Sequence, residues 1–108
     1  MMDINAFIER MGGNEEVVKQ VMQMIKGQYE GKTDLLHETY ATSDTEALFH
    51  SAHSIKGALA NVCAPEDAEF ASSIEMKARG GALPELSELD EMKARLEAVL
   101  NQINEYLA

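Results

Sequence analysis

Apolar residues recur along this chain at intervals of three and four, and no run alternates apolar with polar. A stripe of that spacing fits a helix with about 3.6 residues per turn and argues against strands. The first stripe, Ile4, Phe7, Ile8 and Met11, follows Asp3, a good N-cap, and stops at Gly12-Gly13. Asn14 caps the next helix, with Glu15 and Glu16 in a first turn where negative charge suits the helix dipole. Its apolar positions run from Val18, Met22, Ile25 and Tyr29 on to Leu36 and Tyr40, which predicts one long helix. Gly27 and Gly31 oppose it by about 1 kcal/mol each relative to alanine, so a break or kink near residue 31 is the alternative.

Ser43 with Glu46 three residues on reads as a capping box that opens a central helix. Its buried stripe is Leu48, Ala52, Ile55, Leu59 and Val62. Pro65 closes that run and suits the first turn of the next helix, with Glu66 and Asp67 beside it. Phe70, Ala71, Ile74 and Ala78 give that helix a small-residue face, and Gly80-Gly81 ends it. Pro84 or Ser87 starts the last helix, where Leu86, Leu89, Met92, Leu96, Val99, Leu100, Ile103 and Leu107 repeat at three and four. The predicted fold is all-α: an antiparallel four-helix bundle with a short extra N-terminal helix laid across it. Residues 80–84 read as a loop, because neither side alone would bury a core. Residues 1–108 are therefore expected to form a single domain.

Charge narrows the function. The chain has nine basic and nineteen acidic residues, a net charge of −10, which leaves no basic footprint for nucleic acid. No window approaches a membrane span, and the Met1-Met2-Asp3-Ile4-Asn5 start lacks a secretion signal. One cysteine, Cys63, excludes an internal disulfide and fits a reducing cytoplasm. The seven methionines read as core filler.

The unexplained chemistry lies on the outer face of the central helix. His53 is about 140° round from the buried stripe, at about 100° per residue. Lys56 stands at i+3 and Gly57 at i+4, while Glu46, His50, Ala60 and Asn61 occupy the same outer side. An imidazole in water titrates near about 6.5, so it is mostly a neutral nucleophile at pH 7. A lone surface histidine often does nothing, and an exposed lysine is often only solvated. Gly57 is harder to set aside, because a mid-helix glycine costs roughly 1 kcal/mol and clears space beside the ring. Two other classes fit the same residues: a zinc site on Glu46, His50 and His53 at i, i+4 and i+7, or a purely structural bundle.

The run Phe49-His50-Ser51-Ala52-His53-Ser54-Ile55-Lys56-Gly57 resembles the signature of histidine-containing phosphotransfer (HPt) domains of two-component phosphorelays. It is also similar to the phosphoryl-accepting domain of chemotaxis histidine kinases. Ile74-Glu75 matches the position where the family often has Leu-Glu, and helix order agrees over nearly the whole chain. The resemblance implies that His53 accepts a phosphoryl group through Nε2 and that Lys56 steadies the phosphate. It makes Glu75 a candidate to hold the ring's tautomer. A partner would dock over Gly57, His50, Glu46, Phe49, Ala60 and Asn61. It further implies a phosphoryl carrier rather than a complete enzyme, since no Gly-rich nucleotide loop is present. A response-regulator receiver domain, or a sensor histidine kinase, is the implied partner, and the receiver is expected to supply Mg²⁺. A monomer in the cytoplasm is the expected state. Two residues depart from the family pattern: Cys63 stands where glycine is common, and Asp67 where leucine is favoured.

Overall fold

The computed structural model describes residues 1–108 and contains six helices and no strand. They are α1 (Ile4–Arg10), α2 (Glu15–Tyr29), α3 (Leu35–Ala41), α4 (Thr45–Asn61), α5 (Pro65–Arg79) and α6 (Leu86–Leu107). Two caps are the expected ones: Asp3 accepts from the Ala6 N–H at 3.0 Å, and Asn14 from the Val17 N–H at 3.2 Å. Pro65 is the first residue of α5, where its missing N–H costs nothing.

Three local readings are corrected. The long second helix is broken: α2 ends at Tyr29, Gly31 takes a left-handed φ of 75°, and α3 begins only at Leu35. Glycine reaches that conformation at the least cost. Tyr29 and Leu36 both stay buried, so the apolar period crosses the break and disguises it. The central helix is capped by Asp44, whose carboxylate accepts from the Ala47 N–H at 3.0 Å. Ser43 has a left-handed φ of 55° instead of the extended backbone an N-cap adopts, so the Ser43–Glu46 box does not form. The last helix is opened by neither Pro84 nor Ser87. Glu85 is its N-cap, in a reciprocal box with Glu88, and Leu86 lies outside the buried stripe, 51% exposed.

All six helices contribute to one cluster of 24 buried apolar residues. α5 packs most closely on α4, which its buried Ala68, Ala71 and Ala78 permit. α3 also packs on α4, while α2 and α5 pack on α6. The short α3 is tied to α6 by Asp34–Lys93 and His37–Asp90 pairs, each at 2.7 Å. Within α4, Leu48, Ala52, Ile55 and Leu59 are buried as the spacing requires. Burying a Leu or Ile side chain is worth about 1.5–3 kcal/mol, so this anchoring holds the opposite face of α4 outward.

Both departures from the family pattern lie where α4 passes into α5, Cys63 in the turn and Asp67 in the first turn of α5. Cys63 adopts a φ of 57°, a left-handed conformation that glycine enters freely and that costs other residues about 1–2 kcal/mol. Asp67 is buried, but paired: Arg95 reaches one carboxylate oxygen at 2.8 Å and the Met1 ammonium the other at 2.6 Å. Arg95 also lies over the Phe70 ring, 4.8 Å from its centre.

Candidate functional site

His53 projects from the middle of α4 with 61% of its side chain exposed. Its ring is held from two sides. On α5, Glu75 brings Oε1 to 2.7 Å from Nδ1. One turn earlier on α4, Phe49 stacks on the imidazole, with ring centres 5.9 Å apart and planes 21° from parallel. On a neighbouring element, Tyr29 at the end of α2 shares a 2.7 Å hydroxyl hydrogen bond with Ser54, the residue after His53.

Glu75 is a buried carboxylate, with only 10% of its side chain exposed. Burial alone pushes its pKa up. The hydrogen bonds and charges of Lys56 and His53 outweigh that and hold it below the ordinary glutamate range. Lys56 Nζ lies 2.7 Å from Oε2, so the cation expected to steady a phosphate on His53 is paired with Glu75 in the resting chain. An ionised carboxylate only accepts, so His53 donates through Nδ1–H. The neutral ring then carries its lone pair on Nε2, at the opposite side of the imidazole.

The other residues of the outer face are placed as follows. Gly57, Ala60 and Asn61 are exposed, and a Cβ built on Gly57 meets no atom within 4 Å. The glycine is therefore not explained by close packing within this chain. Phe49 is half-buried, so its exposed edge and its stacking on His53 belong together. Glu46 and His50 are exposed and stand 4.0 Å apart, directed at each other. Together with Arg79 and Ala78 of α5 they border a groove of about 360 Å³ beside Phe49. No group of three or more His, Cys, Asp or Glu side chains gathers with metal-holding geometry, because His50 turns to Glu46 and His53 to Glu75.

Two features of the site were not read from the sequence. The Phe49–His53 stack has a local trace in the i, i+4 spacing of the two residues, although the resemblance implies only a docking role for Phe49. Arg10 had no local signal at all: its Nη1 donates to the Ala60 carbonyl at 3.0 Å across 50 residues of chain.

A protein-family model described as the Hpt domain matches residues 14–102, which span α2 to most of α6. The chain belongs to the Hpt domain family. Hpt domains perform histidine phosphotransfer in two-component phosphorelays, acting as phosphoryl carriers that interact with receiver domains and histidine kinases. The all-helical architecture of this Hpt chain agrees with that membership. No curated protein and no solved structure gives a significant match to it. None of its helices is long and apolar enough to cross a membrane.

Proposed function

We propose that this chain accepts a phosphoryl group on His53 Nε2 from the aspartyl phosphate of one receiver domain and passes it to a second. The observation that carries this reading is the Glu75–His53 contact, which commits Nδ1 as a donor and leaves the Nε2 lone pair on an exposed ring. In this reading residues 1–108 act as one unit. The α2–α3 pair counts as one broken arm of an antiparallel four-helix bundle.

In the transfer, the Nε2 lone pair attacks phosphorus in line. The N–P bond forms as the acyl-phosphate P–O bond breaks, and that bond's electron pair leaves on the receiver's aspartate. The ring becomes more positive as it bonds to phosphorus, and Glu75 at Nδ1 offsets that charge where it develops. Lys56, next to the ring and held by Glu75, exchanges part of that contact for the arriving phosphoryl oxygens. Gly57 leaves open space one turn on for the partner's backbone. Mg²⁺, in this proposal, arrives with the receiver, where carboxylates bind it and it neutralises phosphoryl charge.

The test is incubation with receiver domains phosphorylated on aspartate, followed by mapping of the labelled residue. Acid-labile label on His53 supports the reading; transfer that leaves His53 unlabelled defeats it. A second reading, as the phosphoryl-accepting domain of a chemotaxis-type kinase, draws on the same Glu75–Lys56–His53 contacts. It differs in the donor. Labelling of His53 by an ATP-charged kinase domain, with no transfer from phosphorylated receivers, selects it.

A further inference from the structure

The surface around His53 differs in charge from the rest of the molecule. Nineteen of the 108 residues are acidic, yet none lies between Glu46 and Glu66. That stretch holds nearly all of α4 and its exposed face. The nearest buried acid, Glu75, is already paired with Lys56. A second cation is delivered to the same face by a different element. Arg10, at the end of α1, is exposed and donates from Nη1 to the Ala60 carbonyl at 3.0 Å. Ala60 is seven residues after His53, so it lies roughly 20° out of line with it and about 10 Å further along the helix. Lys56 and Arg10 are therefore the cations brought to a length of α4 whose own residues between Glu46 and Glu66 include no acid, on a chain of net charge −10.

We infer that Arg10 is a docking residue, which steers the acidic mouth of a phosphorylated receiver domain onto His53. This rests on the phosphotransfer reading above and adds the charge chemistry by which the partner is recognised. A receiver that presents a phospho-aspartate and holds Mg²⁺ between carboxylates brings negative charge to the ring. The acidic body of this chain repels such a partner except along that length of α4. Arg10 has five guanidinium N–H groups and uses one on Ala60, which leaves donors to pair with a partner's carboxylate. Because α1 lies outside the matched residues 14–102, Arg10 supplies selectivity from beyond the part of the chain that defines the family.

The test uses the full chain, a phosphorylated receiver that discharges onto it, and single-turnover transfer rates at varied receiver concentration. Arg10→Glu is expected to raise the half-saturating receiver concentration about 10-fold at low salt, with the limiting rate within 2-fold. That difference should shrink as ionic strength rises. Arg10→Gln keeps an N–H for the Ala60 carbonyl and loses the charge; Arg10→Lys keeps the charge and loses the fork. Docking by charge requires Lys to resemble the parent and Gln to resemble the loss. If Gln rescues instead, or if the effect ignores salt, Arg10 only fastens α1 to α4 and the inference is overturned. Phosphoramidate, a small phosphoryl donor with no docking surface, should label His53 at equal rates in all variants. Transfer that is indifferent to Arg10 defeats this inference alone, whereas a folded parent chain that no phosphorylated receiver labels defeats the phosphotransfer reading as well.

Discussion

Glu75 holds His53 with one carboxylate oxygen and Lys56 with the other, each at 2.7 Å, from a helix adjacent to the one that bears them both. The contact joins a buried group to two that reach solvent, and it occupies Nδ1, which leaves the Nε2 lone pair away from Glu75. Its removal should therefore change the tautomer before it changes the fold. In Glu75→Gln the side chain keeps its size but loses the charge that favours Nδ1–H. Nitrogen-15 NMR of His53 should show the Nδ1–H form giving way to a mixture. Transfer should slow on the order of 10-fold, the size of effect typical when a group that orients a histidine is lost. A variant with an unchanged tautomer and rate would leave Glu75 a structural carboxylate only.

His53→Gln removes the proposed nucleophile from an exposed position. The glutamine amide retains an N–H that can donate to the buried Glu75, so helicity should be preserved and the melting temperature should change little. Phosphoryl acceptance should disappear. Acid-labile phosphate retained by the folded variant contradicts the assignment of His53.

Lys56→Ala has a mixed effect, because the ammonium serves Glu75 in the resting chain. Without it, burial acts on Glu75 against His53 alone, and the carboxylate's pKa should rise. Transfer should fall by a few-fold, less than in Glu75→Gln, and the lifetime of the phosphohistidine should change. Carbon-13 titration of Glu75 checks the first consequence and phosphate release the second. If neither moves, Lys56 is only solvated.

The inner half of this arrangement was legible in the sequence and the outer half only in part. The stripe Leu48, Ala52, Ile55 and Leu59 set the orientation of α4 and so placed His53 outward, because burial of large apolar groups dominates helix rotation. Asp3 and Asn14 were readable as caps since each acts within three residues. Errors came where two local signals competed. Ser43 reads as the cap in the sequence, but the adjacent Asp44, also a favoured N-cap residue type, takes that role, and backbone dihedrals separate the two. At Gly31 the apolar period ran through a helix break that the glycine had half announced. Contacts such as Arg10 with Ala60, or Lys56 with Glu75, join distant positions and have no periodic trace in the sequence.

Gly57 is a position at which folding and the proposed docking can be separated. A Cβ there meets nothing within 4 Å, so alanine is accommodated and improves helix propensity. Gly57→Ala should raise stability by about 0.5–1 kcal/mol. Gly57→Leu should also fold, yet its side chain would stand beside His53 on the docking face and sharply slow transfer from a receiver. Paired measurements of melting temperature and transfer rate check this. Stable variants with normal transfer would show that the glycine makes no room for a partner.

Acid should weaken the fold through carboxylates whose pKa is lowered by native partners. Burial pushes Glu75 up, but Lys56 and His53 hold it low. Lys77 and the Glu85 backbone lower Glu88, and Lys93 lowers Asp34. In the unfolded chain these groups titrate near about 4.3 for glutamate and 3.9 for aspartate. A group depressed on folding binds fewer protons in the native state than in the unfolded one over that range. Its contribution is complete above the unfolded value and is lost as pH falls through the lower, folded one. Unfolding free energy should therefore hold steady down to about pH 5 and decline below it. Glu75→Gln abolishes one of these titrations, so denaturant melts between about pH 5 and 2 should show a shallower decline than the parent's. Equal slopes in the two proteins would mean that the Glu75–Lys56–His53 contact adds nothing to acid sensitivity.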